Sequence, residues 1–279
     1  MKKLTYLFLS IVMVVLLVAC GEEPYCSKCG LPSNDAVCAN CRWEAVKSTQ
    51  KTDNAETEPP VSDPSFLKGY TGKVYCIGDS LTIGYVKTAT SAYHTQYNYP
   101  YYLGKLMNTD AVVYATSGYT SSDVWDSYRQ QIDSIRDSLV VIWLGTNKGL
   151  TNTVSIDCAG DDIRLYGTNT TGDYGRIIKT LSDNGNKVVL AHIVGSVENG
   201  ILVATNDTIS ALAIRFNCKV IELNQTERIM LRDKEYHTSE DGTFDYIHFS
   251  SKGYSYVADL FYEKMNSLAL DDPQWFGLN

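Results

Sequence analysis

The sequence predicts an α/β protein: a five-stranded parallel sheet with helices on both faces, preceded by a small cysteine-rich module. Three observations carry this reading. Apolar, β-branched runs recur at Lys73 to Ile77, Ala111 to Ala115, Leu139 to Leu144, Lys187 to Ile193 and Lys219 to Leu223. Helical patterns lie between them, including Tyr174 to Ser182 and Thr208 to Phe216, and such alternation belongs to strands joined by helical crossovers. The composition, 44% hydrophobic and 20% charged over 279 residues, supports one sizeable core with smaller extras. There are no internal repeats.

The chain opens with Lys2 and Lys3. An apolar run from Leu4 to Val18 follows, broken only by Thr5 and Ser10, and leads into Leu17-Val18-Ala19-Cys20-Gly21. A positive start, a short apolar stretch and small residues before a cut describe a secretory signal. The cysteine directly after Leu17-Val18-Ala19 resembles the lipobox of bacterial lipoproteins. That resemblance implies that residues 1–19 are removed and that Cys20, the first mature residue, carries lipid. The alternative is an uncleaved anchor helix, for which about 15 to 17 apolar residues is at the short limit of a span. Either way the lysines stay inside, and the rest is expected outside the cytoplasm, at the bacterial cell membrane.

Residues 20–42 hold the cysteine module. Cys26, Cys29, Cys38 and Cys41 form two Cys-x-x-Cys pairs with eight residues between them, and Gly30 permits the tight turn such a knuckle needs. Tyr25 to Arg42 resembles the short zinc ribbons near the N-termini of membrane-associated bacterial proteins. So short a segment has no core of its own, and structural zinc would supply its folding free energy. Two disulfides are the alternative in an oxidising compartment. Four thiolates leave no open coordination position, so the expected role is a structural knob or the docking of a partner that the sequence does not name. Residues 43–66 then shift to Lys, Thr, Asn, Glu, Ser and Pro without apolar periodicity. This is a flexible linker, spanning on the order of 25 to 30 Å.

Residues 67–279 form the α/β domain. Its last helix is the clearest element: Ser250 or Ser251 can cap it, and Tyr254, Val257, Ala258, Phe261, Tyr262 and Met265 form one apolar stripe. In an open parallel sheet, active groups collect where loops leave the carboxyl ends of the strands. The first strand runs into Gly78-Asp79-Ser80-Leu81, the second into Thr116-Ser117-Gly118 and the third into Gly145-Thr146-Asn147. Asp245 and His248 stand three residues apart near the C-terminus. A serine needs an imidazole to take its proton, and the imidazole needs a carboxylate to fix its tautomer. Each block alone also reads as an ordinary turn or cap.

In this order the blocks resemble the SGNH hydrolases, also called GDSL esterases and lipases, over most of the chain from about Lys73 to Leu268. The resemblance implies a three-layer α/β/α sandwich of flavodoxin-like type and no cofactor for catalysis. It makes Ser80 the nucleophile, His248 the base and Asp245 the orienting carboxylate. It gives the oxyanion hole to Ser80, Gly118 and Asn147. Lys148 departs from the family, which commonly has Asp there. The base lies just before a predicted helix N-terminus, whose dipole disfavours imidazolium, so Asp245 must also stabilise the charged ring.

Of the other histidines, His192 is expected as a satisfied buried residue, and His94 and His237 on the surface in polar loops. Cys76 and Cys218 are expected as apolar packing, and Cys158 carries no assignment. Tyr93, Tyr97, Tyr99, Tyr101 and Tyr102 crowd one stretch and either pack the start of a helix near Pro100 or stack on sugar rings. A net charge of −8 gives no basic footprint for nucleic acid. The sequence therefore points to an extracytoplasmic serine esterase acting on short acyl groups, with acetylated carbohydrates as the expected substrates. Two alternatives stand beside it: a non-catalytic glycan-binding adaptor, which would have no need of all three of Ser80, Asp245 and His248, and an acyltransferase working through the same acyl-enzyme.

Overall fold

Strands that are covered on both faces read as unbroken apolar runs, whereas edge strands keep one face partly wet. The computed structural model follows this rule; it describes residues 66–150, 169–194 and 199–278. The main sheet contains β1 (Val74–Gly78), β4 (Ala111–Ala115), β5 (Leu139–Trp143), β6 (Lys187–Ala191) and β7 (Lys219–Ile221), in the order β4-β1-β5-β6-β7. Every neighbouring pair is parallel. Central β5 is buried at all five positions, while the edge strands β4 and β7 are partly exposed. The runs at Leu144, Ile193 and Leu223 outlast the strand pairing because those side chains stay buried beneath the loops.

Parallel strands are joined by right-handed crossovers, so the direction of travel along the sheet fixes the face of each helix. The chain steps one way from β1 to β4 through α2 (Tyr99–Leu106), then the other way through α3 (Ser121–Ser134), α4 (Asn169–Asp183) and α5 (Asn199–Phe216). Contacts agree with two helical layers: α2 packs on the long C-terminal helix α8 (Ser251–Asp271), and α3 packs on α4. The first layer meets the sheet through aromatic rings. Trp143 of β5 lies edge-on to Tyr99 at 5.4 Å and to Phe261 at 5.1 Å, and all three are essentially buried. Ser250 caps α8 by accepting the Gly253 N–H, as its sequence predicts. Both expected internal helices are present within longer ones.

The tyrosine-rich stretch holds an element that periodicity did not reveal. The short helix α1 (Ser80–Ile83) ends at Gly84, whose φ of +87° is left-handed, and the chain turns into an antiparallel hairpin of β2 (Tyr85–Lys87) and β3 (Ala92–His94). Only then does α2 begin, capped by Asn98. Tyr99 belongs to the core, as the packing alternative expects, while Tyr97, Tyr101 and Tyr102 meet edge-on near the surface.

The chain divides into two units, Met1–Ser62 and Asp63–Asn279. The first lies outside the described residues, and with it the expected signal, the lipidated Cys20, the ligands Cys26, Cys29, Cys38 and Cys41, and all but the last residue of the linker. Cys158 also lies outside them. Cys76 is buried and Cys218 half-buried, both free thiols. Among the described residues, no helix is long and apolar enough to cross a membrane, and no cluster of side chains could hold a metal.

Candidate active site

The sheet order itself gathers the motif loops. Gly78 at the end of β1 pairs with Ala115 of β4 on one side and with Trp143 of β5 on the other. The three loops carrying Ser80, Gly118 and Asn147 therefore leave from one row at the carboxyl edge. Gly78 has to be glycine: a Cβ there would overlap Thr82 Oγ1 and lie 2.7 Å from Trp143 O. Gly118 is glycine for its backbone instead, with φ +81° and open space where a Cβ would project.

Ser80 opens α1 and is only 3% exposed. His248 arrives from the opposite end of the chain, and its Nε2 stands 3.0 Å from Ser80 Oγ. Its Nδ1 stands 3.0 Å from Asp245 Oδ2, while Asp245 Oδ1 accepts the N–H groups of Ile247 at 2.8 Å and His248 at 3.2 Å. Burial raises the Asp245 pKa, but the bonds from the His248 ring and these N–H groups outweigh it and hold the carboxyl below its ordinary value. With its pKa lowered, the carboxylate beside Nδ1 stays ionised near neutral pH and leaves Nε2 free to take a proton from the serine. The arrangement can thus activate Ser80 for attack on a carbonyl carbon.

The other predicted residues sit on the neighbouring loops. Asn147 is exposed, and one hydrogen of its Nδ2 goes to Tyr119 O at 2.9 Å, which ties the third loop to the second. A second Nδ2 hydrogen remains for a ligand. Lys148 is exposed, and its charge adds slightly to the lowering of the Asp123 pKa, which is governed chiefly by hydrogen bonds from Thr120.

Four residues near this site escaped the sequence reading. Asp79 is fully buried beside Ser80; Oδ1 accepts the Leu81 N–H at 3.0 Å, Oδ2 has no partner among the described residues, and burial pushes its carboxyl up to about 7. Tyr85 places its ring 4.3 Å from that of His248. His94 reaches Ser117 Oγ with Nε2 at 2.9 Å. The expectation of a surface His237 is overturned: it is 5% exposed, with Nδ1 2.9 Å from His248 O and Nε2 2.8 Å from Leu231 O. It ends the short helix α7 (Lys234–His237), whose other carbonyls anchor the same loop, since Tyr236 O accepts the Ser250 N–H at 2.7 Å. His192 departs from the expected satisfied burial: it is half-buried, with Nε2 3.0 Å from Ser210 Oγ but Nδ1 without a partner among the described residues. Asp79 stands inside the quoted Gly78-Asp79-Ser80-Leu81 block but its burial leaves no mark there, while only hairpin pairing or the loop's own carbonyls could have pointed to Tyr85, His94 and His237, and neither leaves a sequence motif.

Residues 76–256 match the model of the GDSL-like lipase/acylhydrolase family. No curated protein matches the chain in sequence. Among solved structures, TesA is similar at 16% identity with a TM-score of 0.50, covering 70% of this chain and 99% of its own. A variant acetyl xylan esterase from Geobacillus stearothermophilus is similar at 15% identity and the same TM-score, covering 71% of this chain and 95% of its own. At such identities the likeness is one of fold.

Proposed function

Since the chain belongs to the GDSL-like lipase/acylhydrolase family and is an ester hydrolase of the SGNH type, we propose that Ser80 is its nucleophile, His248 its base and Asp245 the carboxylate that orients the ring. The observation that carries this is the continuous line from Ser80 Oγ through both nitrogens of His248 to Asp245, at 3.0 Å in each step. His248 takes the Ser80 proton as Oγ attacks the ester carbonyl, and then gives it to the leaving alcohol as the acyl-enzyme forms. Water attacks the acyl carbon as His248 removes its proton, and the second tetrahedral intermediate collapses to the acid as His248 returns that proton to the departing Ser80 Oγ. The negative oxygen of each tetrahedral intermediate is held by the N–H groups of Ser80 and Gly118 and by the Asn147 amide. The chemistry uses no metal or organic cofactor.

The substrate in this reading is a short acyl ester, foremost an O-acetyl group on a carbohydrate. The support is the positively charged, apolar N-terminus ending at Cys20, which would hold the enzyme on the outer side of a membrane where acylated glycans are met. Residues 1–19 act as signal, Cys20 carries the lipid, and Cys26, Cys29, Cys38 and Cys41 bind structural zinc, with residues 43–66 as the tether. The test compares wild type and Ser80→Ala on p-nitrophenyl acetate and on an acetylated oligosaccharide. Acetate release that needs Ser80 is expected; release that survives Ser80→Ala would sink the assignment. Metal analysis of the purified protein tests the ribbon, with one zinc expected and two disulfides as the contrary result.

A further inference from the structure

Gly118 can present its N–H to a developing oxyanion only if the turn that carries it is held still. Each residue around it is tied down by a side chain from a different element. Thr116 Oγ1 bonds Tyr128 OH of α3 at 2.7 Å, Tyr119 O accepts from Asn147 at 2.9 Å, and Ser117 Oγ bonds His94 Nε2 at 2.9 Å. The third restraint comes from the β2–β3 hairpin, which lies outside the main sheet.

That hairpin is itself fixed at both ends. At its base, Thr95 N–H donates to Gly84 O at 2.8 Å, and Tyr254 OH of α8 donates to Tyr85 O at 2.8 Å. Toward its tip, the Ala89 N–H donates to Asp241 Oδ2 and Tyr93 OH to Glu240 Oε2, both at 3.0 Å. In between, His94 pairs across the strands with Tyr85, whose ring lies against His248. One rigid element thus touches the base with one residue and the Gly118 turn with its cross-strand partner.

We propose that His94 is a positioning residue for the hydrolysis, holding Ser117 and with it the Gly118 N–H in register with His248. This rests on the assignment of Ser80, His248 and Gly118 given above. His94 need not touch substrate; it acts through Ser117. Because a misplacement of about 1 Å at a reacting centre can cost on the order of 100-fold, partial loosening of one donor should lower kcat about tenfold and leave KM within about twofold.

The experiment measures kcat and KM of the full-length protein on p-nitrophenyl acetate for wild type, His94→Ala, His94→Gln, Ser117→Ala and the double variant His94→Ala/Ser117→Ala. Melting temperatures are recorded alongside. A carboxamide at the end of glutamine reaches where Nε2 stands, so His94→Gln should recover most of the kcat lost in His94→Ala. The double variant should be no slower than the slower single one, because both remove the same bond. Losses that multiply, a wild-type kcat in His94→Ala, or a raised KM at unchanged kcat would each overturn the proposal. An inert wild type would overturn the hydrolytic assignment and this proposal together, whereas an active wild type with an indifferent His94→Ala removes only the latter.

Discussion

The buried ring of His237 bridges two backbone carbonyls, lying 2.9 Å from His248 O and 2.8 Å from Leu231 O. Either tautomer donates to one of them, and the ring also packs on Phe249 at 4.6 Å. It therefore clamps the loop that delivers the base onto the short helix α7. His237→Ala removes the ring and leaves one of the two carbonyls without its donor, at about 1–3 kcal/mol for an unsatisfied buried group. Thermal melting should show that loss, with a fall in kcat as His248 gains freedom. A variant that melts and turns over like wild type would refute the clamp.

Asn147 holds Tyr119 O with one amide hydrogen, and in the proposed mechanism it offers the other to the oxyanion. Asn147→Ala should lower kcat by roughly 10²- to 10³-fold with little change in KM, since the lost bond strengthens only in the transition state. An increase in KM alone would instead mark Asn147 as a residue of substrate binding.

The sheet and the chemical blocks were legible in the sequence. Buried parallel strands demand continuous apolar runs, and a glycine such as Gly78 is demanded where Thr82 and Trp143 O leave no room for a Cβ. Ser80, Gly118, Asn147, Asp245 and His248 lie in short blocks that are ordinary one by one, and it is their order along the chain that marks them. His94, Tyr85 and His237 escaped because their roles come from pairing and from backbone carbonyls, which any sequence can supply. The hairpin strands have three residues each, too few to establish a period of two. His237 sits in a polar segment, and its burial comes from Phe249 and the loop folded over it.

In the proposed mechanism Asp245 serves His248 by fixing its tautomer as much as by its charge. Asp245→Asn keeps the size but can turn an N–H toward Nδ1, which would put the ring proton on Nε2 and deprive Ser80 of its base. A loss of kcat approaching roughly 10⁴-fold is expected. The pH dependence of stability should change as well. The Asp245 carboxyl is held below its ordinary value, so its contribution is present above the unfolded pKa and is lost as pH falls through the lower folded one. Urea midpoints taken down the acid limb should therefore fall less steeply in Asp245→Asn than in wild type, and parallel curves would contradict that linkage.

Asp79 has the opposite sign. Its carboxyl is pushed up from 3.8 to about 7 by burial, with Oδ2 unpartnered among the described residues. Between those two values the unfolded chain has released its proton while the folded chain still holds one. Stability must then fall as pH rises through that window and stay low above it. In Asp79→Asn the side-chain oxygen can still accept the Leu81 N–H, but there is no charge to desolvate. The variant should match wild type near pH 4 and exceed it by an amount on the order of a few kcal/mol above pH 7, where wild type carries the buried charge. Denaturant unfolding of both proteins across pH 4 to 8 measures this directly. A stability difference that does not grow with pH would mean that Asp79 is ionised in the folded protein throughout, with an unseen donor at Oδ2. The growing difference would instead identify a buried acid beside Ser80 whose neutral form favours the fold.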